Sequence, residues 1–341
     1  MAESSALLLV SFGGPEGPDD VMPFLRNVTS GRGVPDGRLA AVAEHYFHFD
    51  GRSPINDQNR ALLAALRPAL DAAGLEQPLY WGNRNWHPLL ADVVRALAAD
   101  GHHRVVAVAT SAWSSWSGCR QYREDLARAA EDAGGAVEIV KIRPFHDHPG
   151  FIEAQADRVR VALREHPGGR ATPRLLFVAH SIPTAMADAS SYADQVASAS
   201  RRVVHRLGHR IEHEVAWCSR SGSPATPWLE PDVNDVLAAW SEEDVRDVVL
   251  VPIGFVSDHM EVIWDLDVEA AETAREHGIA LTRAGTVGTH PAFVDALVDR
   301  LRSAVTGRPS ASLDEPVGQP SCEGHCCLAN GDTGAPAVAA I

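Results

Sequence analysis

Short apolar runs alternate along the chain with longer segments in which apolar and charged residues recur at helical spacing. In the first half the runs are Leu7–Phe12, Pro78–Gly82, Val105–Thr110 and Val137–Ile142. In the second they are Leu175–His180, Glu214–Cys218, Val248–Pro252 and Ile279–Arg283. Segments such as Asp57–Ala73 and His87–Ala99, rich in Ala, Leu and charge, read as the helices between them. Strands alternating with helices require right-handed crossovers and parallel pairing. The pattern therefore predicts an α/β fold of two Rossmann-like lobes, each a four-stranded parallel sheet flanked by helices. A boundary near His148–Pro149 divides residues 1–148 from 149–307. From Arg308 the composition turns to Pro, Ser, Gly and Asp, so residues 308–341 form a cysteine-containing tail that cannot order itself by burial and needs an anchor.

One run is more informative than the rest. Leu175–Ala179 is apolar throughout, as suits a strand buried on both faces, and it stops at the titratable His180 followed by Ser181, Ile182 and Pro183. Ligands of parallel α/β sheets bind at the carboxyl ends of strands, which is where His180 falls. Other strands end in Ser11-Phe12-Gly13-Gly14-Pro15, in Gly82-Asn83-Arg84-Asn85-Trp86 and in the aromatic stretch Thr110–Gly118. Such residues would line a cleft with flat walls and hydrogen-bonding rims, suited to a large planar ligand. Gly13-Gly14-Pro15-Glu16-Gly17 lacks the spaced glycines of a dinucleotide site, which argues against a nicotinamide cofactor.

Composition narrows the field. The 341 residues carry a formal charge of −15, which argues against nonspecific nucleic-acid or anionic-lipid binding and suits a cationic ligand. The start of the chain lacks a basic leader, and its apolar run is too short for a signal peptide or a membrane span, so the expectation is a cytoplasmic protein without a transmembrane segment. Five cysteines, three of them within Cys322–Cys327, do not suggest a secreted disulfide framework.

The run Val248–Pro252 leads into a second cluster of chemistry. Glu261, Asp265 and Glu269 fall at steps of four with no basic residue among them, so a helix would align them in one acidic row. Two carboxylates roughly 6 Å apart repel by about 3 kcal/mol at an effective dielectric near 20, which a cation or water must relieve. A cation path is one reading. The other is a solvated helix face near an N-terminus.

Five stretches, Leu8–Pro15, Gly51–Ile55, Val178–Pro183, Pro227–Pro231 and Gly254–Glu261, together resemble the ferrochelatase family in the same order, across nearly all of residues 6 to 305. The finer similarity is to enzymes of actinobacterial type. That resemblance implies a two-lobed fold with the porphyrin between the lobes, coproporphyrin III and Fe²⁺ as substrates, a [2Fe–2S] cluster, and transient contact with neighbouring haem-pathway enzymes. It implies a metal-insertion site at His180 and Glu261, beside which Asp265 and Glu269 remain the cation path that their spacing suggests. A neutral imidazole at His180 could accept a pyrrole proton near pH 7, and a carboxylate at Glu261 could coordinate iron or relay protons. The order of these steps is open in the sequence. Phe12 matches a tyrosine of the Gram-positive relatives, so it offers packing and no axial oxygen. Ser53 and Tyr122 match residues that hydrogen-bond propionates; Thr29 and His45 stand where those relatives have arginines, leaving Arg32 or Arg52 as replacements. A cobalt chelatase, a protoporphyrin IX enzyme and a noncatalytic tetrapyrrole carrier are the rival readings.

The same resemblance implies that Cys322, Cys326 and Cys327 supply three of the four thiolates such a cluster needs. Cys119 occupies about the family's fourth position, with Cys218 as competitor. A zinc site using His325 is the alternative. His205, His209 and His213 have metal-like spacing, but Gly208 and the neighbouring arginines disfavour a cation there, while His102-His103 and His146–His148 read as surface turns.

Overall fold

Leu7, Leu8, Leu9 and Val10 are completely buried although alternate side chains of a strand point to opposite faces, so the first strand must be covered on both sides. The computed structural model describes residues 5–167, 172–208, 210–222, 225–313, 322, 326–328 and 334–341, and it meets that requirement with two wholly parallel sheets. The first lobe contains β1 (Ser5–Ser11), β2 (Leu79–Asn83), β3 (Arg104–Ala109) and β4 (Glu138–Lys141), in the order β2-β1-β3-β4. The second contains β5 (Arg174–His180), β6 (His213–Cys218), β7 (Asp247–Val251) and β8 (Ala280–Arg283), ordered β6-β5-β7-β8. The two sets repeat one strand order. In each, the order reverses beside the lobe's first strand, so the crevice where parallel sheets take ligands opens at the ends of β1 and β5. Phe12 and His180 follow or end those two strands, at equivalent places in the two lobes.

The expectation of four strands per lobe needs one correction. Ala339–Ala340 forms β9, which pairs in parallel with β4 through Val140 and Lys141 and makes the first sheet five-stranded. The tail is thus anchored by strand addition as well as by side chains. Buried Arg120 and Arg123 donate to the carbonyls of Ala335 and Val338, each at 2.7 Å. Backbone bonds from Arg143 to Ile341 and from Cys322 to Ala340 complete the attachment at 2.9 and 3.1 Å.

His148–Pro149 falls between β4 and β5, but the core runs continuously across it. One apolar cluster runs from Leu7, Leu9 and Leu66 through Phe151 and Phe293 to Phe177 and Val249. Helix Pro291–Thr306 joins the lobes, packing on helix Pro149–Glu165 as well as on helix Ile55–Ala72 of the first lobe. Polar ties reinforce it: Trp113 Nε1 donates to Gly254 O at 3.0 Å, and Asp258 N to Gln58 Oε1 at 2.9 Å. Among the described residues, no helix is long and apolar enough to cross a membrane.

Candidate active site

His180 is the last residue of β5, at the carboxyl end of the strand where a parallel sheet opens its crevice. Both of its ring nitrogens are engaged. Nδ1 pairs with the Ser181 carbonyl, and Nε2 lies 3.3 Å from Glu261 Oε1. Its own carbonyl accepts from the buried Tyr192 hydroxyl at 2.9 Å, which fixes the backbone beneath the ring. The two side chains are 30% and 43% exposed, so they are open to a ligand although protein surrounds them. Burial opposes charge on His180, but Glu261 outweighs it and the imidazole is pushed up to about 9. Burial would likewise raise Glu261, yet His180 holds it down at about 2. Contact with the acid therefore favours the imidazolium form of His180 in the free protein, whereas the sequence reading takes a neutral imidazole.

The close approach of β5 and the loop carrying Glu261 depends on Gly254. A Cβ there would lie 2.6 Å from both Cα and Cβ of Ala179, directly before His180. Gly254→Ala is expected to destabilise the protein by about 1–3 kcal/mol, the range for overpacking a rigid site, and to displace His180. Urea unfolding together with the His180 titration checks it, and an unchanged midpoint would contradict it.

Glu261 sits on a single turn, Met260–Ile263, capped by His259, whose Nδ1 accepts from Glu261 N at 3.3 Å. The chain then widens into a π-turn over Asp265–Ala270, where Trp264 O accepts from both Val268 N and Glu269 N at 3.1 and 3.0 Å. Steps of four residues on such a turn bring acids more nearly into line than on an α-helix. Asp265 accepts from Ser219 Oγ, and Glu269 Oε1 from Trp264 Nε1 at 2.9 Å. Burial pushes Asp265 up to about 7, and the charges of Glu261 and Glu269 push the same way, against the Ser219 hydrogen bond. It can therefore take or release a proton near neutrality. Among the described residues, Glu261, Asp265 and Glu269 belong to no group of side chains that could hold a metal ion, so the acids form a file of single carboxylates and not a cage.

Elements of both lobes line the approach. Tyr46, on helix Asp36–Phe47, is buried, and its phenol is pushed up first by burial and then by Glu261 and Asp265. His45 stacks on Trp264, with ring centroids 4.2 Å apart and planes 10° from parallel. Phe12 is 38% exposed, rests its edge on Phe24, and has the Arg84 guanidinium 5.9 Å from its ring centre. Arg84 is held by Asp125 and lies over Tyr122 at 4.7 Å. Tyr122 itself is 5% exposed, in the core of the first lobe, and burial pushes its phenol up. Ser53 is buried against Gly14, and its N–H donates to Pro15 O at 2.9 Å. Thr29 Oγ1 donates to Leu25 O at 2.7 Å, closing its own helix. Arg52 is engaged by Asp57, which Arg60 also holds, and Arg32 lies exposed in the turn beyond Thr29.

The structure thus brings His180, Glu261 and Asp265 together and leaves the expected propionate contacts scattered. Sequence reasoning did not assign Arg84, Tyr46, Ser219 or Trp264. Arg84 had a signal, lying in a polar strand end; the others depend on long-range packing.

The cysteines separate by lobe. Cys119 is buried on the turn Trp116–Arg120, with Lys141 Nζ 3.6 Å from its Sγ. Arg123 Nη1 donates to Cys326 Sγ at 3.1 Å. Cys322, Cys326 and Cys327 hydrogen-bond among themselves, which lowers Cys326 and raises the other two thiols, and Cys119 adds to the upward push on both. Cys218 belongs to the second sheet, opposite His180 in the β5–β6 register, with Ser219 Oγ 3.2 Å from its sulfur. Ala339–Ala340 of the tail pairs with β4, in the lobe of Cys119. His209 and His325 lie outside the described residues.

A family model described as Ferrochelatase matches residues 4–305. The chain is 52% identical over 342 residues to the coproporphyrin III ferrochelatase of Frankia alni, covering 95% of this chain and 86% of the relative. It is 48% identical over 328 residues to the ferrochelatase of Rhodopirellula baltica, covering 95% and 93%. To the coproporphyrin III ferrochelatase of Mycolicibacterium smegmatis it is 49% identical over 316 residues, covering 91% and 93%. Among solved structures, SirB from Bacillus subtilis with Fe³⁺ aligns with a TM-score of 0.54 at 12% identity, over 89% of this chain and 96% of that one, a likeness of fold.

Proposed function

Because the chain belongs to the ferrochelatase family, we propose that His180 and Glu261 are the groups with which it inserts ferrous iron into coproporphyrin III, yielding coproheme in haem biosynthesis. The observation that carries this assignment is the 3.3 Å contact between His180 Nε2 and Glu261 Oε1 in the crevice between the lobes.

Insertion replaces two pyrrole protons by one Fe²⁺, so the site must deliver a cation and remove protons. Glu261 is ionised throughout the neutral range and offers the arriving metal an oxygen ligand. A divalent cation at that carboxylate cancels the charge that keeps His180 protonated. The imidazole then gives up its proton to water and becomes the base for one pyrrole N–H, and after passing that proton to water it takes the second. Asp265, poised at about 7, receives protons from Glu261's side of the cleft and passes them toward Glu269. Phe12 and Arg84 supply a flat, cationic wall opposite, on which the macrocycle and its carboxylates can rest. Thr29, His45, Ser53, Tyr122 and Arg52 stay in this proposal as second-rank contacts, since several are already engaged within the protein.

The residues near the tail also fit a [2Fe–2S] cluster in donor chemistry. Cys119, Cys322, Cys326 and Cys327 supply four sulfurs, and two of these accept hydrogen bonds from cations, as cluster sulfurs commonly do. When bound, such a cluster supplies one-electron redox capacity and a cross-link between tail and body.

Anaerobic mixing of the purified protein with Fe²⁺ and coproporphyrin III, followed by porphyrin absorbance, tests the assignment of substrate. Turnover well above the uncatalysed background, and faster than with protoporphyrin IX, is expected. Equal or faster use of protoporphyrin IX would reverse the substrate preference, and binding without turnover would make the chain a carrier.

A further inference from the structure

Two cations are buried beside the cysteines with no carboxylate paired to them among the described residues. Arg123 and Lys141 are 2% and 1% exposed. Arg123 donates to Val338 O at 2.7 Å and to Cys326 Sγ at 3.1 Å, and Lys141 to Ile142 O at 2.9 Å and Cys119 Sγ at 3.6 Å. Neither is in an ion pair among the described residues, whereas adjacent Arg120 is matched by Glu124 at 2.7 Å. Each uncompensated cation thus has one neutral carbonyl and one sulfur as acceptors.

Burying a guanidinium or an ammonium without a counter-charge is strongly unfavourable, and a neutral thiol does not supply one. Thiolates do. Two ferric ions, two sulfides and four thiolates leave two negative charges, the complement of Arg123 and Lys141. We infer that Arg123 and Lys141 are the charge-compensating residues of a four-thiolate cluster, one cation on the tail ligand Cys326 and the other on the body ligand Cys119. The inference rests on the cluster reading given above and goes beyond it by naming what holds and tunes the group. The two cations lie on different elements, Arg123 on helix Gln121–Asp132 and Lys141 at the end of β4. They therefore clamp the site from both sides of the seam between body and tail. Reduction adds one more negative charge, which both cations favour, so their loss should lower the midpoint potential as well as loosen the cluster.

The test uses anaerobically purified full-length protein as Arg123→Leu, Arg123→Lys, Lys141→Met and Lys141→Arg. Iron and acid-labile sulfide per chain, the visible charge-transfer bands, the bleaching rate under an iron chelator and the midpoint potential are measured for each. Arg123→Leu and Lys141→Met should bleach about 10–100-fold faster, the usual cost of losing a partner that orients a metal ligand, and any cluster they retain should have a lower potential. Arg123→Lys and Lys141→Arg should recover most of the stability. Wild-type-like sulfide content, bleaching and potential in both neutral variants would overturn the inference. So would equal loss in the charge-conserving variants, which would make the requirement one of shape. A wild-type protein lacking labile sulfide would instead sink the cluster reading itself, and zinc in place of iron would identify a tetrathiolate zinc site of the same charge.

Discussion

His180→Ala is expected to slow iron insertion into coproporphyrin III by about a thousandfold, within the range for removing a positioned acid–base group, with porphyrin binding changed little. The ring is the only imidazole in contact with Glu261 on the strand-end side of the crevice among the described residues; His259 lies 3.9 Å from the same carboxylate but uses its Nδ1 to cap the following turn. Removing the ring also leaves Glu261 without its principal compensating charge, so its carboxyl should titrate upward from about 2 as burial reasserts itself. Stopped-flow absorbance under anaerobic conditions measures insertion, and quenching of tryptophan fluorescence measures binding. Turnover near the wild-type rate would place the chemistry elsewhere in the cleft.

Glu261→Gln should have the second largest effect, a loss on the order of a hundredfold, with a distinct signature in pH. Burial lowers His180 and Glu261 is the foremost group raising it, so without the carboxylate the ring should titrate well below its present value of about 9. The variant would therefore hold more neutral imidazole at pH 7 and still insert iron poorly, because the ligand that receives the metal is gone. The raised His180 stabilises the fold of the free protein fully below pH 6.5 and loses that contribution as pH rises through about 9. The depressed Glu261 contributes fully above pH 4.5 and loses its share as pH falls through about 2. Stability of the wild type should thus decline on both flanks, and Glu261→Gln should flatten the alkaline one. NMR titration of the ring and urea midpoints across pH decide it. Faster insertion in the variant would show that the carboxylate merely restrains the imidazole.

Much of this architecture could be read in the chain because parallel strands buried on both faces are unbroken apolar runs. All eight runs became strands, with ends shifted by a residue or two where, as at Phe12, the chain leaves the sheet for a glycine turn. His180 and Glu261 were legible for the same reason, as polar residues following such runs. What escaped was set by distance in space. The charge state of His180 depends on an acid 81 positions away. A π-turn preserves roughly the apolar spacing of an α-helix, so its widening leaves little trace in the pattern. Arg84 over Tyr122, and His45 on Trp264, join segments with no sequence relation. Ala339–Ala340 is too short a strand to register as a periodicity, although the apolar Ala335–Ile341 that contains it was visible.

That last strand ties a late stretch of the polypeptide to a much earlier one. The open edge of β4, and the inward-facing Arg123 that finds its carbonyl on Val338, stay without these partners until residues 338–340 have been made. The first lobe, whose other four strands are synthesised earliest, is therefore completed only after the second lobe's strands already exist.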